Sequence, residues 1–262
     1  MIRFGFWKDR THNLDRMSLK DLVRAFATYP SVHAYIGLAA VSLYLVVRWY
    51  DGWAPLAVAV GLAIVIYPLV WYALHRWVLH SQFLYKSPRT AKVWKRIHFD
   101  HHQDPHNLVV LFGALYTTIP TIAIVTMPIG YAVGGLAGAA MAFATGLLTT
   151  CFYEFSHCVQ HLNTAPKTKF MKRIKQLHMW HHFHNEQGNF GITNFLWDRL
   201  GNTYYSKASA VPKSPTVFNI GYTAEMAERY PWVAQMSNNT RGDGNPRRFR
   251  TGADAADNGP AA

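Results

Sequence analysis

The sequence predicts an all-α integral membrane protein: four transmembrane helices with a cytoplasmic helical cap carrying a polyhistidine dimetal site. Three observations predict it. Half of the 262 residues are hydrophobic and only 15% are charged, against roughly 25% in soluble proteins. Long stretches without any charged side chain alternate with basic segments. Ten of the fourteen histidines fall into four short clusters placed beside those apolar stretches.

The chain divides into a basic leader (1–30), a membrane domain (31–236) and a tail (237–262). The leader carries Arg3, Lys8, Arg10, Arg16, Lys20 and Arg24. Ser18, with Asp21 three positions on, reads as a capping box. Leu19, Leu22, Val23 and Phe26 then recur at helical spacing, with Lys20 and Arg24 on the other side. That pattern predicts a basic amphipathic helix at a membrane surface. The leader has no apolar core of the kind a cleaved secretory signal requires.

Residues 32–50 and 54–74 predict the first two spans, since about 20 apolar residues cross the hydrocarbon. Trp49, Trp53, Trp71 and Tyr72 stand near their ends, where interfacial aromatics belong. From Asn107 to Tyr153 no residue is charged, which is enough for two more spans, 108–127 and 130–152. Pro128 and Gly130, with the flanking Met127 and Ile129, predict the turn joining them. Pro120 is expected to kink the third span, and Gly134, Gly135 and Gly138 to let the fourth pack closely. Beyond it, Lys167, Lys169, Lys172, Arg173 and Lys175 suit anionic head groups. Residues 188–205 are expected to fold back over the histidines, and the polar tail from Ser237 to be disordered.

Charge fixes the expected topology. With both termini inside, only two tight loops face outward, and all 26 Lys and Arg residues except Arg48 fall on the inner side. The positive-inside rule asks for that asymmetry. It also puts every histidine cluster on the cytoplasmic face. The net charge of +12 therefore belongs to a membrane protein, and no separate basic domain points to nucleic acid.

The clusters are His75/His80, His98/His101/His102, His157/His161 and His178/His181/His182. On an α-helix positions i, i+3 and i+4 lie close together, so each HxxHH and the HxxxH present their rings to one side. His75 and His80, five apart, either straddle two metals or mark a place where the helix end unwinds. Ten imidazoles are too many for one ion, and two ions with about five each is the natural division. Imidazole suits Zn, Cu, Fe and Ni alike. A hydrolytic zinc centre of the HExxH type is excluded, because no such motif is present. Cys151 and Cys158 are too few for a thiolate cluster and are expected to pack.

His106 and His184 follow their clusters closely and are candidates for a second layer around the metal. Glu154, on the helical face of His157, and Asp100 are candidates to orient imidazoles by accepting their second N–H. Trp180 and Phe183 are expected to shield the site. His12 and His33 stand apart and are expected to be structural.

The order HxxxxH, HxxHH, HxxxH, HxxHH, interleaved with paired spans, resembles the fatty acid hydroxylase and sterol desaturase superfamily of membrane non-haem diiron enzymes. The similarity covers roughly 60–205. The segment His181-His182-Phe183-His184, with Asn189–Thr193 and Trp197-Asp198, is especially like the fatty acid hydroxylases. The resemblance implies that the ten clustered histidines ligate two irons. It also implies that O₂ and two external electrons hydroxylate a lipid C–H bond, most readily in a fatty acyl chain, free or within a sphingolipid or ceramide. Thirty leading residues cannot hold a haem module, so a separate donor of cytochrome b5 or ferredoxin type is expected. Sterol or carotenoid hydroxylation and lipid desaturation are the alternatives on the same site. A metal transporter would want ionisable groups deep within the spans, and a haem carrier would want facing histidine pairs.

Overall fold

The structure, a computed structural model, describes residues 12–237. Arg3, Lys8 and Arg10 and the expected disorder after Ser237 fall outside the described residues. Within them the chain is helical, without strands, apart from an isolated bridge between Asn13 and Asn107.

The first helix, α1 (Leu19–Ala27), opens on the expected capping box: Ser18 Oγ accepts from the Asp21 N–H, and the Asp21 carboxylate accepts from the Ser18 N–H. Leu22 and Ala25 turn inward, while Leu19 and Val23 stay exposed beside Lys20 and Arg24. The next helices are α2 (Pro30–Arg48) and α3 (Trp53–Leu74). Both are long enough to cross the hydrocarbon, at ~28 and ~33 Å. Gly52 breaks the chain between them with φ of 115°, a backbone that glycine adopts without cost.

The third apolar stretch is α5 (Leu115–His161), which is folded back on itself. Its backbone leaves helical geometry at Gly134 and Gly135, the latter with φ 54° and ψ −144°. Two antiparallel arms result. A Cβ on Gly130 would overlap the Gly138 carbonyl, and one on Gly146 would press on Ile122 and Thr126. These contacts are successive rungs away from the turn. The hairpin therefore bends later than Pro128 and Gly130 suggested. Pro120 and Pro128 keep helical dihedrals, and Gly130, expected in the turn, supplies close packing instead. The first arm also begins later than residue 108. A single turn, Leu108–Leu111, is followed by extended backbone at Phe112, where the Gly113 N–H donates to Glu154 Oε1 at 3.0 Å. The second arm runs past residue 152 to His161.

Helices α2 and α3 pack along this hairpin through small residues. Tyr35 and Ala39 meet Ile122, Ala144 and Leu147, while Val46 and Leu56 meet Ala137 and Ala140. Ala59 and Ala63 meet Ala142. The outward side is apolar too: Val47, Val65, Ile124 and Phe152 are each at least 64% exposed, as lipid-facing side chains are. Three helices, Pro30–Arg48, Trp53–Leu79 and Leu108–His161, are long and apolar enough to cross a membrane.

The cap is built from α4 (Pro88–Trp94) with its continuation to Gln103, from α6 (Lys169–Phe183), and from α7 (Leu196–Leu200), α8 (Ala224–Arg229) and α9 (Trp232–Met236). Tyr85, Trp94, Phe99 and Tyr222 form its aromatic core. Trp94 Nε1 donates to the Leu79 carbonyl at 2.7 Å, tying that core to the end of α3.

Candidate metal centre

Helix α3 does not stop at Leu74. It widens into a π-helical turn, His75–Leu79, in which the His80 N–H donates to the His75 carbonyl at 3.1 Å. Residues five apart share a face in a π-turn. The odd spacing of His75 and His80 is thereby resolved: the helix end is rewound, and the two rings stand 4.9 Å apart. A second π-turn, Lys95–Phe99, carries His98 and leads into the α-helical turn Asp100–Gln103 with His101 and His102.

The ten rings form two groups of five. His75, His80, His98, His102 and His181 make one; His101, His157, His161, His178 and His182 make the other. Within each group one ligand atom per residue lies within 4.8 Å of all the others. Each HxxHH is split rather than one-sided, because i and i+4 differ by roughly 40° around a helix while i+3 and i+4 differ by roughly 100°. His98 and His102 serve the first group and His101 the second. His178 and His182 serve the second group and His181 the first. Each group thus takes a pair from the end of a long helix, a pair from one HxxHH and a single ring from the other.

The nitrogens behave as ligands need to. His75, His102 and His181 donate Nδ1–H to the carbonyls of Phe190, Val217 and Gly188 at 2.6, 3.0 and 2.8 Å. That fixes the tautomer whose Nε2 lone pair is free, and these three Nε2 atoms are buried without a hydrogen-bond partner. Both nitrogens of His101 and of His182 are likewise buried and unpartnered, which is costly unless something else binds them. His80 Nε2 and His98 Nε2 are 2.8 Å apart. His157, His161 and His178 form a triangle of Nε2 atoms with edges of 2.9, 3.0 and 3.2 Å. Imidazoles ~2.1 Å from one ion and at right angles to each other stand roughly 3.0 Å apart, so the donor set fits one ion per group. Burial, and after it the neighbouring imidazoles, holds His98, His101, His178 and His182 well below the ordinary histidine pKa. For His102 burial sets a value of about 3. The rings are therefore neutral, as ligands must be.

Residues 188–205 do fold back over the cluster. The Phe190 ring lies 5.1–5.5 Å from His75, His80 and His181. Its backbone is pinned by Asp198, fully buried, whose carboxylate accepts the Phe190 and Gly191 N–H at 2.8 Å each and the Thr203 hydroxyl at 2.8 Å. Asn189, at φ 54°, exchanges two hydrogen bonds with the Tyr205 backbone. No sequence signal assigned Phe190, Val217 or Asp198 these roles; backbone carbonyls as imidazole acceptors leave none.

The four expected neighbours stand beside the groups but not in them. Glu154 is bonded to Tyr35 and Gly113, not to an imidazole. Asp100 is paired with Lys95 at 2.6 Å. His106 donates Nδ1–H to the His161 carbonyl, and His184 donates Nε2–H to that of Val211. Trp180 stacks on Tyr205 under Arg173, whereas Phe183 is 36% exposed.

A cavity of about 80 Å³ opens above both groups. His75 and His98 of the first group and His101, His157, His178 and His182 of the second form its floor. Trp71, Leu79, Ile97, Val110, Leu111 and Ile192 make an apolar wall.

Helical hairpins bearing two interlocked five-histidine groups under an apolar cavity define a membrane-type polyhistidine protein whose groups could each hold a metal ion. Comparison then gives the family. The fatty acid hydroxylase family model matches residues 60–203, and the chain belongs to that family. It is 28% identical to the ceramide very long chain fatty acid hydroxylase of Saccharomyces cerevisiae, over 56% of this chain and 38% of that one. It is 29% identical to the fatty acid 2-hydroxylase of Rattus norvegicus over 60% and 42%. It is 31% identical to a dihydroceramide fatty acyl 2-hydroxylase of Arabidopsis thaliana over 59% and 65%. The chain thus matches about two-fifths of the length of the first two. A solved structure of full-length scs7p, with only its hydroxylase domain visible, shares the fold with a TM-score of 0.57 at 23% identity, covering 77% of this chain and 71% of that one.

Proposed function

We propose that the protein is a membrane diiron monooxygenase that hydroxylates a fatty acyl chain, free or within a ceramide. The observation that carries this reading is the pair of neutral five-histidine groups opening together into one apolar cavity. The relatives' names add the lipid class and the carbon next to the carboxyl or amide carbonyl. Iron is favoured because the reaction implied for the family is oxygen insertion, and an all-imidazole set accepts it.

In this reading His75, His80, His98, His102 and His181 hold one iron, and His101, His157, His161, His178 and His182 hold the other. Together the irons would supply activation of O₂, with the overall balance RH + O₂ + 2e⁻ + 2H⁺ → ROH + H₂O. The chain's own residues do the rest. The carbonyls of Gly188, Phe190 and Val217 hold three imidazoles in the ligating tautomer. The Phe190 ring seals the first group from water. The apolar wall aligns an acyl chain, which binds by burying its methylenes at about 0.8 kcal/mol each. Glu154 lines the same cavity from outside the ligand set, and His106 holds the His161 carbonyl behind it.

The membrane arrangement belongs to the same proposal. The four long helical arms span the bilayer, α1 lies along its inner surface, and the cap and both termini face the cytoplasm. A separate one-electron donor, of cytochrome b5 or ferredoxin type, supplies electrons from that side.

Lipid profiling tests the reaction. A host making this chain should accumulate an acyl lipid heavier by one oxygen atom, absent when His181 is replaced by Ala. Accumulation of an unsaturated lipid instead would move the assignment to desaturation.

A further inference from the structure

The site is enclosed on most sides, yet electrons must enter it. Helix α6 shows where. Its ligand-bearing side presents His178, His181 and His182 inward, and its opposite side exposes Lys169, Lys172, Gln176 and Phe183. These four recur at spacings of three, four and seven, which keeps them on one stripe ~21 Å long. At the far end of the stripe the exposed Phe183 ring lies 6.4 Å from His182, a residue of the second group. It also stacks on His106 at 6.2 Å and 24°, and His106 is hydrogen-bonded to the carbonyl of His161 in that same group. The ring also packs edge-on against Phe218 at 6.0 Å, yet 36% of it stays open to the surroundings beside the histidine cluster.

The other end of the stripe is cationic. Between residues 163 and 185 no acidic residue occurs. Arg173 is tied to Gln176, Tyr204 and Ser206, and Lys175 to the carbonyls of Leu162 and Thr164. Lys169 and Lys172 are exposed, and the two ion pairs among the described residues, Lys95–Asp100 and Arg229–Glu225, lie elsewhere.

We propose that the outer face of α6, from Lys169 and Lys172 to Phe183, is the docking surface for an acidic one-electron carrier protein. This rests on the monooxygenase reading, which requires two electrons per turnover. Each docking passes one electron from the reduced carrier through the Phe183–His182 contact, and two successive dockings supply the pair. The carrier leaves oxidised each time. Lysines at the rim of such an interface steer encounter and orient the partner. An anionic lipid head group would use the lysines alone, whereas a protein partner also covers the exposed part of Phe183 at the other end of the stripe.

The experiment compares the iron-loaded full chain with its K169E/K172E variant in nanodiscs of neutral lipid, using the soluble haem domain of cytochrome b5 as the carrier. Both side chains are exposed and lie outside the ligand set. Oxidation of the reduced haem is followed by stopped flow, and product by mass spectrometry, with and without a small-molecule reductant replacing the carrier. The variant should oxidise the carrier about tenfold more slowly or worse, with the difference shrinking as salt screens it. Its product yield with the small-molecule reductant should match the wild type. Equal carrier oxidation by the two proteins overturns the docking proposal. So does a variant that loses only binding to phosphatidylserine vesicles, which would assign the lysines to lipid. A wild type that oxidises the carrier in a Lys169- and Lys172-dependent way but forms no hydroxylated lipid sustains the docking surface and sinks the monooxygenase reading instead.

Discussion

At the scale of single residues, Asp198 shows how much of the site lies behind the histidines. Its carboxylate holds the Phe190 and Gly191 N–H groups, and the Phe190 carbonyl in turn fixes His75. Asp198→Asn loses one of the two acceptor oxygens that serve three donors, the Phe190 and Gly191 N–H groups and the Thr203 hydroxyl. The expected result is a roughly tenfold weaker hold on one metal ion, the scale typical of an outer partner, with the second ion retained. Titration with a chelator, followed by metal analysis, should therefore show one of the two ions leaving about tenfold more readily than it leaves the wild type. Uniform loss from both groups would show that Asp198 acts on the whole cap. The histidines themselves were legible because their spacing repeats. The carbonyls of Gly188, Phe190 and Val217 were not, since any residue type supplies a carbonyl and only the fold aims it.

At the scale of elements, two devices decide the geometry. One is the π-turn, which brings His75 and His80 onto one face by accommodating one residue more per turn. Spacing alone left that pair ambiguous, because it cannot tell a rewound helix end from a ligand bridge between two sites. The split of each HxxHH is the same lesson at α6: the motif gives the residues, and the helix's position between two groups decides which group each ring joins. The other device is the glycine-lined hairpin. Its length was legible in the uncharged stretch, but its turn was misplaced, because Pro128 is tolerated inside a membrane helix while Gly135 adopts a left-handed backbone. Gly138→Leu should therefore clash with the Gly130 carbonyl, which cannot move aside as a side chain can. The expected cost is about 3 kcal/mol, read as a lower melting temperature in detergent. A melting curve matching the wild type would show that the arms do not meet there.

At the scale of the molecule, charge and hydropathy together organise the protein. Apolar arms expose Val47, Val65 and Ile124 to the surroundings, while the cap gathers both the cationic segments and the two histidine groups. The proposed topology follows from that division: reporter fusions after residue 29 and at residue 237 should both read as cytoplasmic, and one inserted at Gly52 as external. Opposite signals from the first two would contradict the four-arm crossing. The long apolar helices were the most legible feature of the sequence, because hydropathy over 20 residues averages out local detail. Substrate identity was the least legible, because an apolar wall fits any methylene chain.

The most direct test of the monooxygenase reading is the fate of oxygen in the product. Purified, iron-loaded protein supplied with an acyl lipid, a reductant and isotopically heavy O₂ should yield a hydroxylated lipid carrying one heavy oxygen atom per product molecule. A desaturated product, or a hydroxyl group whose oxygen comes from water, would contradict it.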